Sequence, residues 1–178
     1  MIDDFESNMQ TENIESTSNK FQISQSDLPG DQQDINILSM STSKKYLYLL
    51  TEKGEILCIE SKTLKPFQQS FSIRPNSKSF NNFKVNFNKI WTDRSGNHNI
   101  IRFSGKIFYF NILCNAGKEL ECFNNIEICA VGFDEANENP LSTGKFLAAD
   151  YNNNIYECLI EIDKNAKPEN KVIGKKKN

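Results

Sequence analysis

The sequence is poor in the residues that most reactions and most metal sites require. His98 is its only histidine and Trp91 its only tryptophan. A single histidine excludes a paired-histidine metal site and the histidine half of a zinc finger. The five cysteines, Cys58, Cys114, Cys122, Cys129 and Cys158, are odd in number and form no Cys-x-x-Cys. They lie mostly inside apolar runs, which reads as core thiols in a reducing compartment rather than a disulfide framework. The eight glycines are scattered, and neither Gly132 nor Gly144 belongs to a phosphate-binding loop. No apolar run approaches the length of a membrane span, and the acidic, polar first residues do not form a signal peptide.

These shortages leave little room for catalysis. A Cys–His nucleophilic pair would have to use His98, and no neighbouring sequence supports one. Glu119/Glu121 and Glu135/Glu138 read as solvated strand faces or loops, not as paired catalytic carboxylates. The segment DEANENP (134–140) is rich in oxygen ligands but lacks the alternating order and central glycine of a calcium loop. No catalytic, cofactor-binding or metal-binding residue is assigned, and the chain is not expected to be an enzyme.

What is present has the composition of a globular domain. Of 178 residues, 38% are hydrophobic and 25% charged, and Phe alone accounts for 13, a bias towards strands. The net charge of −2 conceals an uneven distribution. Residues 1–34 hold eight acidic groups against Lys20 alone, and few apolar residues interrupt their Ser, Asn and Gln. Such a segment buries too little to offset its ordering entropy, so residues 1–34 are expected to be a disordered acidic head. Residues 163–178 hold six lysines against Asp163 and Glu169 and are expected to be a basic disordered tail. No aromatic residue interleaves with those lysines, as single-strand nucleic-acid binding would require, which argues against a nucleic-acid partner.

Between these ends, short apolar runs alternate with turn residues at strand length. Three segments share one layout: KYLYLLTEKGEILCIES (45–61), NIIRFSGKIFYFNI (99–112) and KFLAADYNNNIYECLIEI (145–162). Each is an apolar strand, a tight turn and a second apolar strand. The turns carry Gly54, Gly105 and Asn153, residue types that tolerate the positive φ of hairpin turns. A further strand precedes each hairpin: INILSMS (35–41), VNFNKIWTD (85–93) and IEICAVGFD (126–134). Outer strands are expected in FQQSFSI (67–73) and KELECF (118–123). The hairpin turns recur about every 50 residues, the repeat of four-stranded propeller blades, although a β-sandwich also uses short, evenly spaced strands. The expected fold is all-β: a partial β-propeller of about three blades of four-stranded antiparallel sheet over 35–162, with disordered termini. Three blades fall short of a closed ring, so the chain is expected to be a piece of a larger propeller, or a truncated product of one, that does not fold well alone.

Two segments carry more specific information. In KIWTDRSGNHNIIRF (89–103) a strand ends in Ile90–Trp91, Asp93 opens a turn, Gly96 closes it, and His98 leads into the next apolar strand. Asp and Gly suit such a corner through side-chain hydrogen bonding and unusual backbone angles. In AVGFDEANENPLSTGKFLAADYNNNIYECLIE (130–161), the order is Val131, Gly132, Phe133, then Ser142, Thr143, Phe146, Leu147, and finally Ile155, Tyr156, Glu157. This ordered pair resembles the N-terminal β-propeller of the vacuolar protein sorting-associated protein 18 family, also called the deep orange family. Asp93, Gly96 and His98, with Ser95, Ile100 and Ile101, match its first motif. The series from Val131 to Glu157 matches the second. The chain departs from the family pattern at Arg94, at Ala149–Asp150 and at Asn153.

The resemblance implies a non-enzymatic interaction module like the propeller of a HOPS or CORVET tethering subunit. It implies action in vesicle docking, fusion, vacuole organization and intracellular protein transport between endosome and lysosome or vacuole. The implied partners are other tethering-complex subunits, and the implied place is cytoplasmic, peripheral on late endosome, lysosome or vacuole membranes through those partners. The family's helical solenoid and RING module find no counterpart in these 178 residues. The alternative is a generic propeller scaffold with a nucleic-acid or other adaptor role.

Overall fold

The computed structural model describes residues 35–67, 71–73, 87–163, 165 and 172–177. The chain divides into two units, Met1–Gly30 and Asp31–Asn178, and every described residue belongs to the second. The expected acidic head (1–34) lies outside the described residues.

Among the described residues twelve strands form three four-stranded antiparallel sheets, each built from consecutive strands in chain order. The first sheet holds β1 (Ile37–Thr42), β2 (Tyr46–Thr51), β3 (Glu55–Glu60) and β4 (Phe71–Ser72). The second holds β5 (Lys89–Thr92), β6 (His98–Phe103), β7 (Lys106–Asn111) and β8 (Ala116–Glu119). The third holds β9 (Ile128–Phe133), β10 (Ser142–Asp150), β11 (Ile155–Ile162) and β12 (Val172–Lys177). Three such meanders are the blades of a partial propeller, and the expected all-β class holds.

The central hairpin of each blade forms where the turn residues place it. Gly54 (φ +74°), Ser104 (φ +50°) with Gly105 (φ +76°), and Asn153 (φ +63°) adopt the positive φ that reverses the chain. The outer strands differ more from expectation. In the first blade Phe71–Ser72 is strand, and residues 68–70 of the expected 67–73 run lie outside the described residues. In the second, β8 begins at Ala116, and Glu121–Phe123 of the expected 118–123 strand form a 3-10 turn instead. The third blade takes its outer strand from the lysine-rich end: Val172–Lys177 pairs with β11 from Glu157↔Lys177 to Ile162↔Val172. This corrects the expected disordered tail (163–178) over those residues. The β11 edge has open ladder positions, and backbone pairing there does not depend on side-chain type.

Packing follows the two-residue period of the strands. All six residues of β6 are buried, because the second blade is covered on both faces. On one face Ile101, Phe103, Phe108 and Phe110 join Tyr48, Leu50, Ile56 and Cys58 of the first blade. On the other, Ile100, Ile107 and Tyr109 join Phe146, Tyr156, Cys158 and Ile160 of the third. Phe71 stacks on Phe110 with ring centroids 4.2 Å apart. Among the described residues the first and third blades share no core, so the sheets do not close into a ring.

Cys58 and Cys158 are buried and Cys122 is exposed, and no disulfide joins any of the five cysteines. Burial pushes the Cys58 thiol up to about 11, consistent with an inert core thiol. Glu119, expected on a solvated face, is instead largely shielded and pairs with Lys106 at 2.8 Å.

Both interfaces of the second blade should contribute comparably to stability. Ile100→Ala and Ile101→Ala, at positions 1% and 0% exposed, are each expected to cost about 2–4 kcal/mol. Leu147→Ala, at a position 53% exposed, should cost less than about 0.5 kcal/mol. Urea denaturation followed by circular dichroism measures all three.

Candidate functional site

The turn between β5 and β6 is built around one carboxylate. Asp93 is buried; its Oδ1 accepts the His98 N–H at 2.8 Å, and its Oδ2 accepts the Ser95 N–H at 3.2 Å and the Ser95 hydroxyl. Backbone bonds close the corner: Asp93 N–H to His98 O at 3.0 Å and Gly96 N–H to Asp93 O at 3.1 Å. Gly96 sits at φ +83°, and a Cβ there would fall 2.5 Å from Ser43 Oγ and 2.8 Å from the Tyr46 ring. Both backbone angle and space therefore demand glycine.

This turn is fastened to the first blade. The Tyr48 hydroxyl donates to Gly96 O, and the Lys44 N–H donates to Arg94 O at 3.1 Å. Desolvation holds the Tyr48 phenol far above its ordinary value, so it remains a donor at any physiological pH.

His98 fastens the same turn to the third blade. Its side chain is fully buried. Nε2 lies 2.8 Å from Asn139 O, a pure acceptor, which places the ring proton on Nε2. Nδ1 then accepts from the Tyr109 hydroxyl at 2.7 Å and from Asn111 Nδ2 at 3.3 Å. Asn111 Nδ2 also donates to Pro140 O at 3.0 Å. Burial lowers the His98 pKa, against smaller opposing effects of the Asn139 carbonyl and the Asp93 charge. The neutral imidazole is thus the form that fits.

The second sequence motif is distributed through the third blade. Val131, Gly132 and Phe133 pair across β9–β10 with Ala148, Leu147 and Phe146. Ser142 and Thr143 open β10 at an irregular register. There the Thr143 hydroxyl accepts the Ile160 N–H at 2.9 Å and donates to Gly144 O at 2.8 Å. Ile155, Tyr156 and Glu157 begin β11: Ile155 is exposed, the Tyr156 hydroxyl donates to Asp150 Oδ2 at 2.9 Å, and Glu157 pairs with Lys145 at 3.1 Å. The two motifs do not converge on one reaction centre; His98 reaches the third blade through the Asn139 carbonyl.

A family profile described as the Pep3/Vps18/deep orange beta-propeller domain matches residues 19–175. The chain belongs to this family. No curated protein matches it. The family is one of structural and interaction domains, and in this Pep3/Vps18/deep orange propeller the buried polar side chains are engaged in holding strands and turns. Asn99 and Thr92 bond each other at 2.7 Å, and Arg102 donates to Ile128 O at 2.9 Å. Among the described residues no group of His, Cys, Asp and Glu could hold a metal ion.

Sequence reasoning passed over one further centre of this kind. Asp150 Oδ1 accepts the Asn152 and Asn154 N–H groups at 2.8 and 2.9 Å, and its Oδ2 accepts Asn154 Nδ2 at 2.9 Å. The Asn154 amide, followed by the backbone and Tyr156 donors, holds the Asp150 carboxyl below the usual carboxylate range. The sequence signal was an acid four residues before Asn154 in an Asn-rich hairpin turn.

Two predictions follow from these contacts. Asp93→Ala removes a buried acceptor serving three donors and should cost about 2–4 kcal/mol, measured by denaturant midpoint. Stability should also fall as pH drops below about 6.5, where the unfolded histidine takes up a proton that folded His98 resists. That loss is absent above this range and grows down to the depressed folded value. Asp150, whose folded carboxyl is depressed, adds a separate loss only below about pH 4. Melting temperatures between pH 8 and 5 should slope for the native chain and flatten for His98→Gln.

Proposed function

We propose that the chain is a non-enzymatic protein-interaction module of a HOPS- or CORVET-type tethering assembly, serving vesicle docking and fusion between endosome and lysosome or vacuole. The family match over residues 19–175 carries this reading. The use of Asp93, His98, Thr143 and Asp150 in structural hydrogen bonds supports a scaffold rather than a catalyst. Its partners are other subunits of the assembly, and it meets the endolysosomal membrane through them. No helix among the described residues is long and apolar enough to cross a membrane.

Affinity purification of the endogenous protein through an N-terminal tag, with mass spectrometry of the co-purifying chains, tests the proposal. Other vacuolar protein sorting subunits are expected. Recovery of chaperones alone, or of nothing, would overturn it. Recovery of nucleic-acid-binding proteins, lost on nuclease treatment, would favour the adaptor alternative.

A further inference from the structure

The first strands of the three blades, β1, β5 and β9, border a cavity of about 470 Å³. Each of these strands has one edge without a strand partner among the described residues; on β5 the Ile90 N–H donates to Ser39 Oγ at 3.2 Å, and the β9 edge is the one that suits an extended peptide backbone. Trp91, Val131 and Phe133 give the wall an apolar part, and all three are half-buried. Gly132 also lines the cavity, and a Cβ built there would meet nothing within 4 Å. Lys89 Nζ lies 5.5 Å from the centre of the Trp91 ring, a cation–π contact that helps fix the indole.

The rim carries charge. Lys44 and Arg94 line it from the first and second blades together with Glu135, and Glu138, which pairs with Lys44, stands outside the lining. Both cations make only long ion pairs, Lys44 to Glu138 at 3.6 Å and Arg94 to Glu135 at 3.5 Å, with all four side chains at least half exposed. Charge-assisted hydrogen bonds close to about 2.7–2.9 Å, as Lys106 and Glu119 do at 2.8 Å. Loose, exposed pairs contribute little to stability, so an incoming carboxylate can replace the glutamates at small cost. The bond from Lys44 N–H to Arg94 O keeps the two cation-bearing loops together.

We propose that this cavity is a docking site for an extended acidic peptide segment of a partner protein. It seats an aromatic or branched aliphatic side chain against Trp91 and Phe133, and Lys44 and Arg94 bind the flanking carboxylates. The site rests on the interaction-module reading and specifies the chemistry of one partner. A membrane surface fits less well, because the cavity is concave.

Fluorescence anisotropy tests the site with the tagged full chain, purified in whatever assembly it forms. The probes are a fluorescein-labelled, terminally blocked peptide of one phenylalanine flanked by two aspartates on each side, and its lysine counterpart. Saturable binding of the acidic peptide alone is expected. The double variant Lys44→Glu/Arg94→Glu should weaken it at least about tenfold. Gly132→Val, which fills the cavity from a strand position without a positive φ, should weaken it similarly while leaving the melting temperature unchanged. Equal binding of the two peptides, no binding of either, or full affinity in both variants would overturn the proposal. So would binding only to phosphatidylserine vesicles. Loss of peptide binding with tethering subunits still recovered would refute this site alone and leave the proposed function standing.

Discussion

One buried acid–turn–histidine unit ties the described part of the fold together. Asp93 organises six residues of backbone, and the turn it makes holds the first blade through Tyr48 and Lys44 and the third through His98. Apolar packing between blades is non-directional and would tolerate some sliding of one sheet over the next. The hydrogen bonds of this turn end on particular atoms in neighbouring sheets, so they set the rotation between blades as packing alone does not.

The polar groups inside the fold therefore serve alignment. Arg102 reaches from the second blade to Ile128 O at the start of the third, and Asn111 reaches to Pro140 O. Each removes a backbone carbonyl from the cost of burial without water. A scaffold assembled this way leaves its chemistry on the rim, where Lys44 and Arg94 are exposed and loosely paired.

The hairpins were legible in the sequence because their turns need positive φ, and Gly54, Gly105 and Asn153 announce it. The buried strands were legible because alternate residues face opposite cores. The outer strands were legible in part. Phe71–Ser72 lies inside the expected 67–73 and Ala116–Glu119 overlaps the expected 118–123, whereas Val172–Lys177 is polar enough to read as a tail. The partners of His98 were equally hidden. Tyr109 and Asn111 follow in the adjacent strand and Asn139 lies 41 residues away; a lone histidine in sequence carries no trace of which carbonyl it will meet. The remaining signal was the run of polar residues His98 and Asn99 opening an otherwise apolar strand.

The outer strand of the third blade has a bearing on how this protein associates. Val172–Lys177 masks the full hydrogen-bonding rim of β11 from Glu157 to Ile162. Displacement of this strand would bare a row of unsatisfied amides and carbonyls on an apolar, β-rich segment. Such a rim is a template for whatever extended chain arrives next, and six residues of backbone thereby act as a cap against self-association.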